Sequence, residues 1–223
     1  MIKRLLSYLF PITIFEKKSS ISENLEVTWN NGKLVLDSKN TNYSYGSLQK
    51  VLRKGLSYIG FDKISTMNEI LVLGVAGGSV VKTLVDEIKC KAYIIGVEID
   101  ESVIEISNTY FGLDKIPNYK TVIADASQFV SETTRTYDLI IIDIFHDSKM
   151  PDFLFSQEFI NAIKKIVTKN GFILFNTMLL DETNETRNVD FMKHFEKDIY
   201  ICKTFSNVEY YNQLIIIEKN KID

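Results

Sequence analysis

The chain of 223 residues has two cysteines, two histidines and three prolines. Cys90 and Cys202 are far apart and match neither a metal-ligand spacing nor a redox pair, so they read as two reduced thiols of a cytoplasmic protein. No apolar run approaches the ~20 residues of a membrane span. An excess of positive charge is also missing: 26 basic against 29 acidic residues leave a net charge of −3, and the lysines are spread among acidic neighbours. Such a surface gathers no phosphates, which speaks against a nucleic-acid partner. Repeats, low-complexity tracts and long linkers are absent too. What remains, at 45% hydrophobic content, is enough for one full core with a small appendage.

The amino-terminal "MIKRLLSYLFPITIF" has the basic-then-apolar outline of a signal peptide. Pro11 interrupts it, β-branched residues follow, and Glu16-Lys17-Lys18 stands where a small-residue cleavage site belongs, so the chain is expected in the cytoplasm. Residues 12 to 37 alternate as strands do, and Asn31-Gly32 sits between two such runs in "LEVTWNNGKLVLD". Both residues tolerate the positive φ of a tight hairpin turn. Residues 1–45 therefore read as a small β-hairpin domain, and residues 46–223 as a second domain. The latter opens with a helix on which Leu48, Val51, Leu52, Leu56 and Ile59 share a face and which Gly60 ends.

Beyond Gly60, aliphatic runs at Ile70–Leu73, Ala92–Val97, Lys120–Ile123, Leu139–Ile142 and Phe172–Phe175 alternate with helical patterns. The helical patterns lie around Val80–Ile88, Val103–Tyr110, Ala126–Glu132 and Phe155–Thr168. Strands without polar alternation are buried on both faces, which predicts a Rossmann-like α/β fold, an open and mostly parallel sheet between helices. Ile199–Thr204 and Gln213–Glu218 predict an antiparallel hairpin at one sheet edge.

In such a sheet, ligands lie beyond the carboxyl ends of the strands. After the first strand comes Gly74-Val75-Ala76-Gly77-Gly78, a turn bare enough for a bulky ligand to lie on it. The second strand ends at Glu98, roughly 20 residues past the glycines, where a carboxylate can accept ribose hydroxyls. The third ends in "IADAS", in which Asp125 is placed either to accept from an adenine amino group or to cap the next helix. The fourth, "YDLIIIDIFHD", leaves Asp143 where an apolar strand opens onto the ligand. Three isoleucines followed by an aspartate are not a packing pattern.

The succession of "LVLGVAGGS", "GVEIDESVIEIS", "IADASQFV" and "YDLIIIDIFHDSKMP" resembles the spermidine synthase family, a branch of the class I S-adenosylmethionine-dependent transferase fold. The resemblance covers nearly the whole chain, the β-hairpin unit and "NYSYGSLQKVL" being similar to that family's small amino-terminal domain and linker. It implies that Glu98 holds the ribose, Asp125 the adenine, and Gly74, Ala76, Gly77 and Gly78 the rest of the nucleoside. Ile99, Ala126 and Asp143 complete the implied cofactor-binding set. It further implies S-adenosylmethionine or its decarboxylated form as cofactor, no metal, and a homodimer.

The family pattern is incomplete in three places. The glycine turn of aminopropyltransferases carries an aspartate, where this chain has Ala76; their Tyr-Gln pair has Tyr45-Gly46 as its counterpart; and their two aspartates three apart become Asp143 and His146, with Asp147 one further on. Decarboxylated S-adenosylmethionine ends in an ammonium and wants fixed negative charge nearby. The α-carboxylate of S-adenosylmethionine would be repelled by it, two unit charges at ~4 Å being worth several kcal/mol at intermediate dielectric. Ala76 thus favours the ordinary cofactor. The expected activity is methyl transfer to a small or medium-sized acceptor, with Asp143 or His146 orienting the acceptor or taking its proton and Tyr45 and Asp147 touching it. The alternatives are an aminopropyltransferase with a modified acceptor pocket and a nucleoside-binding protein without catalysis. His146 also reads as a solvated loop histidine and His194 as a helix-surface residue. Trp29, Tyr43 and Tyr45 fit either an acceptor-pocket wall or the core of the small β unit. No membrane contact is expected.

Overall fold

The computed structural model describes residues 2–19, 21, 24–38, 42–44, 46–145, 149–209 and 211–220. A five-residue helix, α1 (Ile2–Leu6), precedes four antiparallel strands in sequential order, β1 (Ile12–Lys17), β2 (Leu25–Asn30), β3 (Lys33–Ser38) and β4 (Asn42–Ser44). The Asn31-Gly32 turn has φ of 49° and 73° and pairs Asn30 with Lys33, as the dipeptide predicts. The amino-terminal stretch is docked on this turn: Asn31 N–H donates to the Ser7 carbonyl, Gly32 N–H to Ser7 Oγ, and Arg4 Nε to the Gly32 carbonyl.

Helix α2 (Gly46–Ile59) follows, burying Val51, Leu52, Leu56 and Ile59. It ends at Gly60, whose N–H donates to Leu56 at 3.0 Å and whose φ is 107°. A short α3 (Phe61–Ser65) leads into the second sheet. This sheet has seven strands: β5 (Glu69–Leu73), β6 (Tyr93–Glu98), β7 (Tyr119–Ile123), β8 (Tyr137–Ile142), β9 (Val167–Met178), β10 (Tyr200–Ser206) and β11 (Asn212–Lys219). Their spatial order is β10-β11-β9-β8-β5-β6-β7. β5 to β9 pair in parallel, and β11 pairs antiparallel to both β9 and β10. The expected α/β fold with its edge hairpin is therefore present.

Side-chain alternation along the strands divides the core in two. Ile70, Val72, Ile94, Leu139, Ile141 and Leu174 face α2 and the helix after the glycine turn, whereas Leu71, Leu73, Ile95, Ile140, Ile142 and Phe175 face the helices of the other layer. Burying each of these side chains contributes about 1.5–3 kcal/mol, which is why the strands carry no polar alternation. The first layer contains α4 (Ser79–Lys82), continued by a π-helical turn over Thr83–Glu87. The second contains α6 (Ala126–Glu132), α7 (Gln157–Ile166) and α8 (Glu182–Lys193). Between them in sequence, α5 (Glu101–Ile106) and its π-helical continuation Ser107–Phe111 place Val103, Ile106 and Phe111 against Leu25, Val27 and Leu36 of the small sheet.

One boundary differs from the sequence reading. Phe155–Thr168 is not a single helix: Asp152–Phe155 forms a 3-10 turn, Ser156 caps α7 by accepting from Phe159 N–H, and β9 already starts at Val167. Val167 and Thr168 are β-branched and turn extended as soon as the helix ends. α1 and α3 had no counterpart among the predicted helices, and of α8 only the end at His194 was read as helical.

Candidate functional site

The chain order reverses between β5 and β8: β6 and β7 lie on one side of β5, and β8 and β9 on the other. A crevice beyond the carboxyl ends of these strands follows from that reversal. Three loops border it, the turn after β5, the tip of β6 and the segment after β8.

The turn after β5 is held on both sides. Gly74 N–H donates to Val97, and Asp143 N–H donates to Leu73, at 3.0 and 2.9 Å. Gly74 has φ 84°, and a Cβ there would lie 2.2 Å from the Asp143 carbonyl oxygen. Glycine is required by both backbone conformation and space. Ala76 has φ 47°, a conformation alanine rarely takes; its N–H donates to Glu98 Oε2 at 3.0 Å, and its carbonyl accepts from Ser107 Oγ at 2.8 Å. Gly77 is buried in the turn, and Gly78, with φ 76°, precedes α4. Ser79 N–H donates to Ser44 Oγ, linking α4 to β4.

Glu98 sits at the end of β6. Oε1 accepts from Ile99 and Asp100 N–H at 3.0 and 3.1 Å, and Oε2 from Ala76. Burial pushes this carboxyl up from its ordinary value, the three backbone donors pull it down, and Asp100 raises it further. Three of roughly four acceptor positions are used, which leaves Oε2 one more. The adjoining side chains are apolar and exposed, Ile99 by 44% and Ile123, at the end of β7, by 47%. Polar acceptors beside bare aliphatic surface suit a nucleoside, and on this donor and acceptor set the residues fit the adenosyl cofactor.

Asp125 caps α6, its Oδ1 accepting from Gln128 N–H at 3.0 Å. The capping alternative is thus realised; a second oxygen remains for an external donor. Ala126 is buried in the first turn of that helix.

Asp143 follows β8. Burial pushes its carboxyl up to about 6; a hydrogen bond from Asn176 Nδ2 at 2.8 Å lowers it, and the charge of Glu98 raises it. Asp138, at the other end of the same strand, accepts from Asn68 and Glu69 N–H and from Thr168 Oγ1, the pattern of a structural carboxylate. Asp143 has one described side-chain donor and lies just beyond the carboxyl end of β8.

Tyr45, His146 and Asp147, expected to touch the acceptor or take its proton, lie outside the described residues, as does the side chain of Tyr43. Trp29 is half-buried on the small sheet with Arg4 against its ring, lining a groove that includes Tyr110 and Phe111. His194 ends α8, and its carbonyl accepts from Lys164. Among the described residues, no three His, Cys, Asp or Glu side chains gather as a metal site, and no helix is long and apolar enough to cross a membrane. Cys90 and Cys202 are free thiols.

Sequence reasoning did not anticipate Ser107, Asn176 or Asn212. Ser107 gave no signal, being one serine in an amphipathic helix. Asn176 did: it interrupts the aliphatic run "FILFNTM", where a polar side chain is buried and must have a partner.

Known proteins resemble this chain in sequence and in fold. A polyamine aminopropyltransferase of Vibrio vulnificus is 30% identical over 111 residues, 48% of this chain and 37% of that protein. An eEF1A lysine and N-terminal methyltransferase of Bos taurus is 31% identical over 131 residues, 53% of this chain and 18% of that protein. The chain thus spans well under half the length of these two relatives. A spermidine synthase solved with the transition state analogue AdoDATO shares the fold, with a TM-score of 0.70 at 18% identity, over 95% of this chain and 75% of that one. The spermine/spermidine synthase domain matches residues 50–217, a span that takes in the glycine turn, Glu98, Asp125 and Asp143. With that match over most of its length, the chain belongs to the spermine/spermidine synthase family.

Proposed function

We propose that the chain transfers the methyl group of S-adenosylmethionine to a small or medium-sized acceptor. One observation carries the reading: the turn from Gly74 to Ser79 contains no carboxylate, and its Ala76 N–H is already committed to Glu98. A cofactor that keeps its α-carboxylate meets no fixed negative charge from this turn, whereas the decarboxylated form finds no counter-ion in it. When bound, the cofactor supplies a sulfonium-activated carbon.

The chain's own residues then have separable tasks. Glu98 accepts a ribose hydroxyl through the acceptor position its backbone bonds leave open, Ile99 and Ile123 cover the base, and Asp125 offers its second oxygen to the base's amino group. Asp143 attracts a cationic acceptor or takes its proton, a function suited to a carboxylate near pH 6. His146 is the second candidate for that proton, with Tyr45 and Asp147 on the acceptor side. Residues 1–45 form a small unit beside a cofactor domain of residues 46–223, and a homodimer goes with this reading.

Aminopropyl transfer is the second reading, favoured by the relatedness to polyamine aminopropyltransferases. Two measurements separate the readings: calorimetry with S-adenosylmethionine, its decarboxylated form and methylthioadenosine, and transfer of label from methyl-labelled S-adenosylmethionine into a metabolite pool. Tighter binding of S-adenosylmethionine with label transfer is expected. Preference for the decarboxylated form would replace this reading by aminopropyl transfer, and binding without transfer from either donor would replace it by a nucleoside-binding function. A carboxylate installed by Ala76→Asp or Gly77→Asp is expected to move the affinity ratio toward the decarboxylated form.

A further inference from the structure

Asn176 is fully buried near the carboxyl end of β9, on the same sheet face as Leu174 and Leu214. Its Nδ2 donates to Asp143 Oδ1 at 2.8 Å. Its Oδ1 accepts from Asn212 Nδ2 at 2.9 Å, and Asn212 sits half-buried at the first position of β11. The chain of bonds has a direction. With Asn212 donating to it, the Asn176 oxygen is turned toward β11 and its amino group toward Asp143. A reversed Asn176 amide would set oxygen against carboxylate and amino group against amino group.

We propose that Asn212 and Asn176 form a two-amide relay that fixes the orientation of the Asp143 carboxylate and keeps a donor on it, which makes both of them positioning residues of the reaction site. Nothing about strand formation requires this pair. An aliphatic side chain at position 176 would continue the run Phe172–Phe175, whereas a buried amide costs about 1–3 kcal/mol unless paired. The relay also opposes the two influences that disfavour the ionised form of Asp143, namely burial and the negative charge of Glu98 at the end of β6. Among the described residues, β9 and β11 present only the neutral amides Asn176 and Asn212 to this arrangement. His146 and Asp147, on the loop that carries Asp143, lie outside the described residues.

The inference rests on Asp143 being the acid–base group, but its primary test does not. The ionisation of Asp143 is followed in the full-length protein, without cofactor or acceptor, by carboxyl carbon magnetic resonance, with Asp143→Asn assigning the signal. In Asn212→Ala the Asn176 amide is free to turn, and the acid dissociation constant of Asp143 is expected to fall about threefold or more. Asn212→Asp can only accept, so it reverses the Asn176 amide and adds charge; a fall of about tenfold or more is expected. Thr177→Val removes a neighbouring buried hydroxyl on the opposite face and is expected to leave the constant within about 1.5-fold. Because Asn176→Leu is at risk of not folding, the decision rests on Asn212, at a strand end. A constant unchanged within about 1.5-fold in both Asn212 variants overturns the relay. Once an acceptor is in hand, Asn212→Ala should lower kcat while leaving the KM for the cofactor within about twofold, the pattern of an interaction made in the transition state only. If the ionisation moves but Asp143→Asn transfers label undiminished, the relay stands and the catalytic role of Asp143 falls.

Discussion

The Glu98 carboxylate accepts the backbone N–H of Ala76 at 3.0 Å, so the tip of β6 holds the turn after β5 in shape. The same carboxylate accepts Ile99 and Asp100 N–H, which makes it a brace between three backbone donors; in the proposed function it also accepts a ribose hydroxyl. Glu98→Ala is expected to weaken binding of S-adenosylmethionine or its product by at least ~1.5 kcal/mol, from lost charge-assisted bonds. Calorimetric titration measures it, and an unchanged affinity would take Glu98 out of the ribose site. Glu98→Gln keeps the side chain's size but sets its amino group against the N–H of Ala76 or those of Ile99 and Asp100, so a loss of affinity smaller than that of Glu98→Ala is expected.

Gly74→Ala should be more damaging than an ordinary turn substitution. The added Cβ would meet the Asp143 carbonyl oxygen at 2.2 Å, and φ of 84° is strained for alanine. A loss of about 2–4 kcal/mol in denaturant unfolding is expected, together with a displaced Asp143 and reduced turnover. Wild-type stability in this variant would mean that the two loops are not in contact.

Asp143→Asn should keep cofactor affinity within a few-fold and lower turnover by ~10²-fold or more, the scale for losing a positioned acid–base group. In the parent, turnover should fall as pH drops through about 6, where the carboxylate takes up its proton. His146→Gln should cost less if Asp143 is the base and as much if the histidine is. Undiminished label transfer in Asp143→Asn would remove Asp143 from the mechanism.

The same carboxyl links stability to pH, and the sign is opposite to that of a salt-bridged aspartate. Its folded pKa, about 6, lies above the unfolded value, so the folded state binds more protons in the interval between them. Its contribution is therefore fully present below the unfolded pKa of about 3.9 and is lost as pH rises through about 6. Asp143→Asn should then stabilise the protein at pH 7 by about 1–2 kcal/mol, a value reduced for solvent at a half-buried residue, and by little near pH 4. Thermal unfolding at the two pH values measures this difference. Equal effects at both would show that burial does not raise the pKa of Asp143.

The order of strands and helices was legible because it is local. Aliphatic runs such as Leu139–Ile142 bury both faces, Asn31-Gly32 permits the tight turn, and Gly60 ends α2; each acts within a few residues of chain. Gly74, Glu98, Asp125 and Asp143 were legible for a related reason: strand ends in a parallel sheet fall on one edge, so a polar residue after an apolar run is already placed. The boundary between α7 and β9 was not, since periodicity over Phe155–Thr168 cannot show where Ser156 caps a helix or where Val167 finds Tyr137 as its strand partner.

What only the tertiary structure decided is how those residues are held. That Ser107 braces Ala76 across 31 residues, that Asp125 caps α6, and that Asn212 turns Asn176 toward Asp143 depend on which elements become neighbours. A hydrogen bond is directional and short-ranged, whereas sequence pattern reports only the average burial of a face. Composition and periodicity could thus specify the sheet and the edge at which its polar strand ends gather, while the ionisation of Asp143 depends on burial, on the Asn176 amide of β9 and on Glu98 of β6, which strand order brings around it.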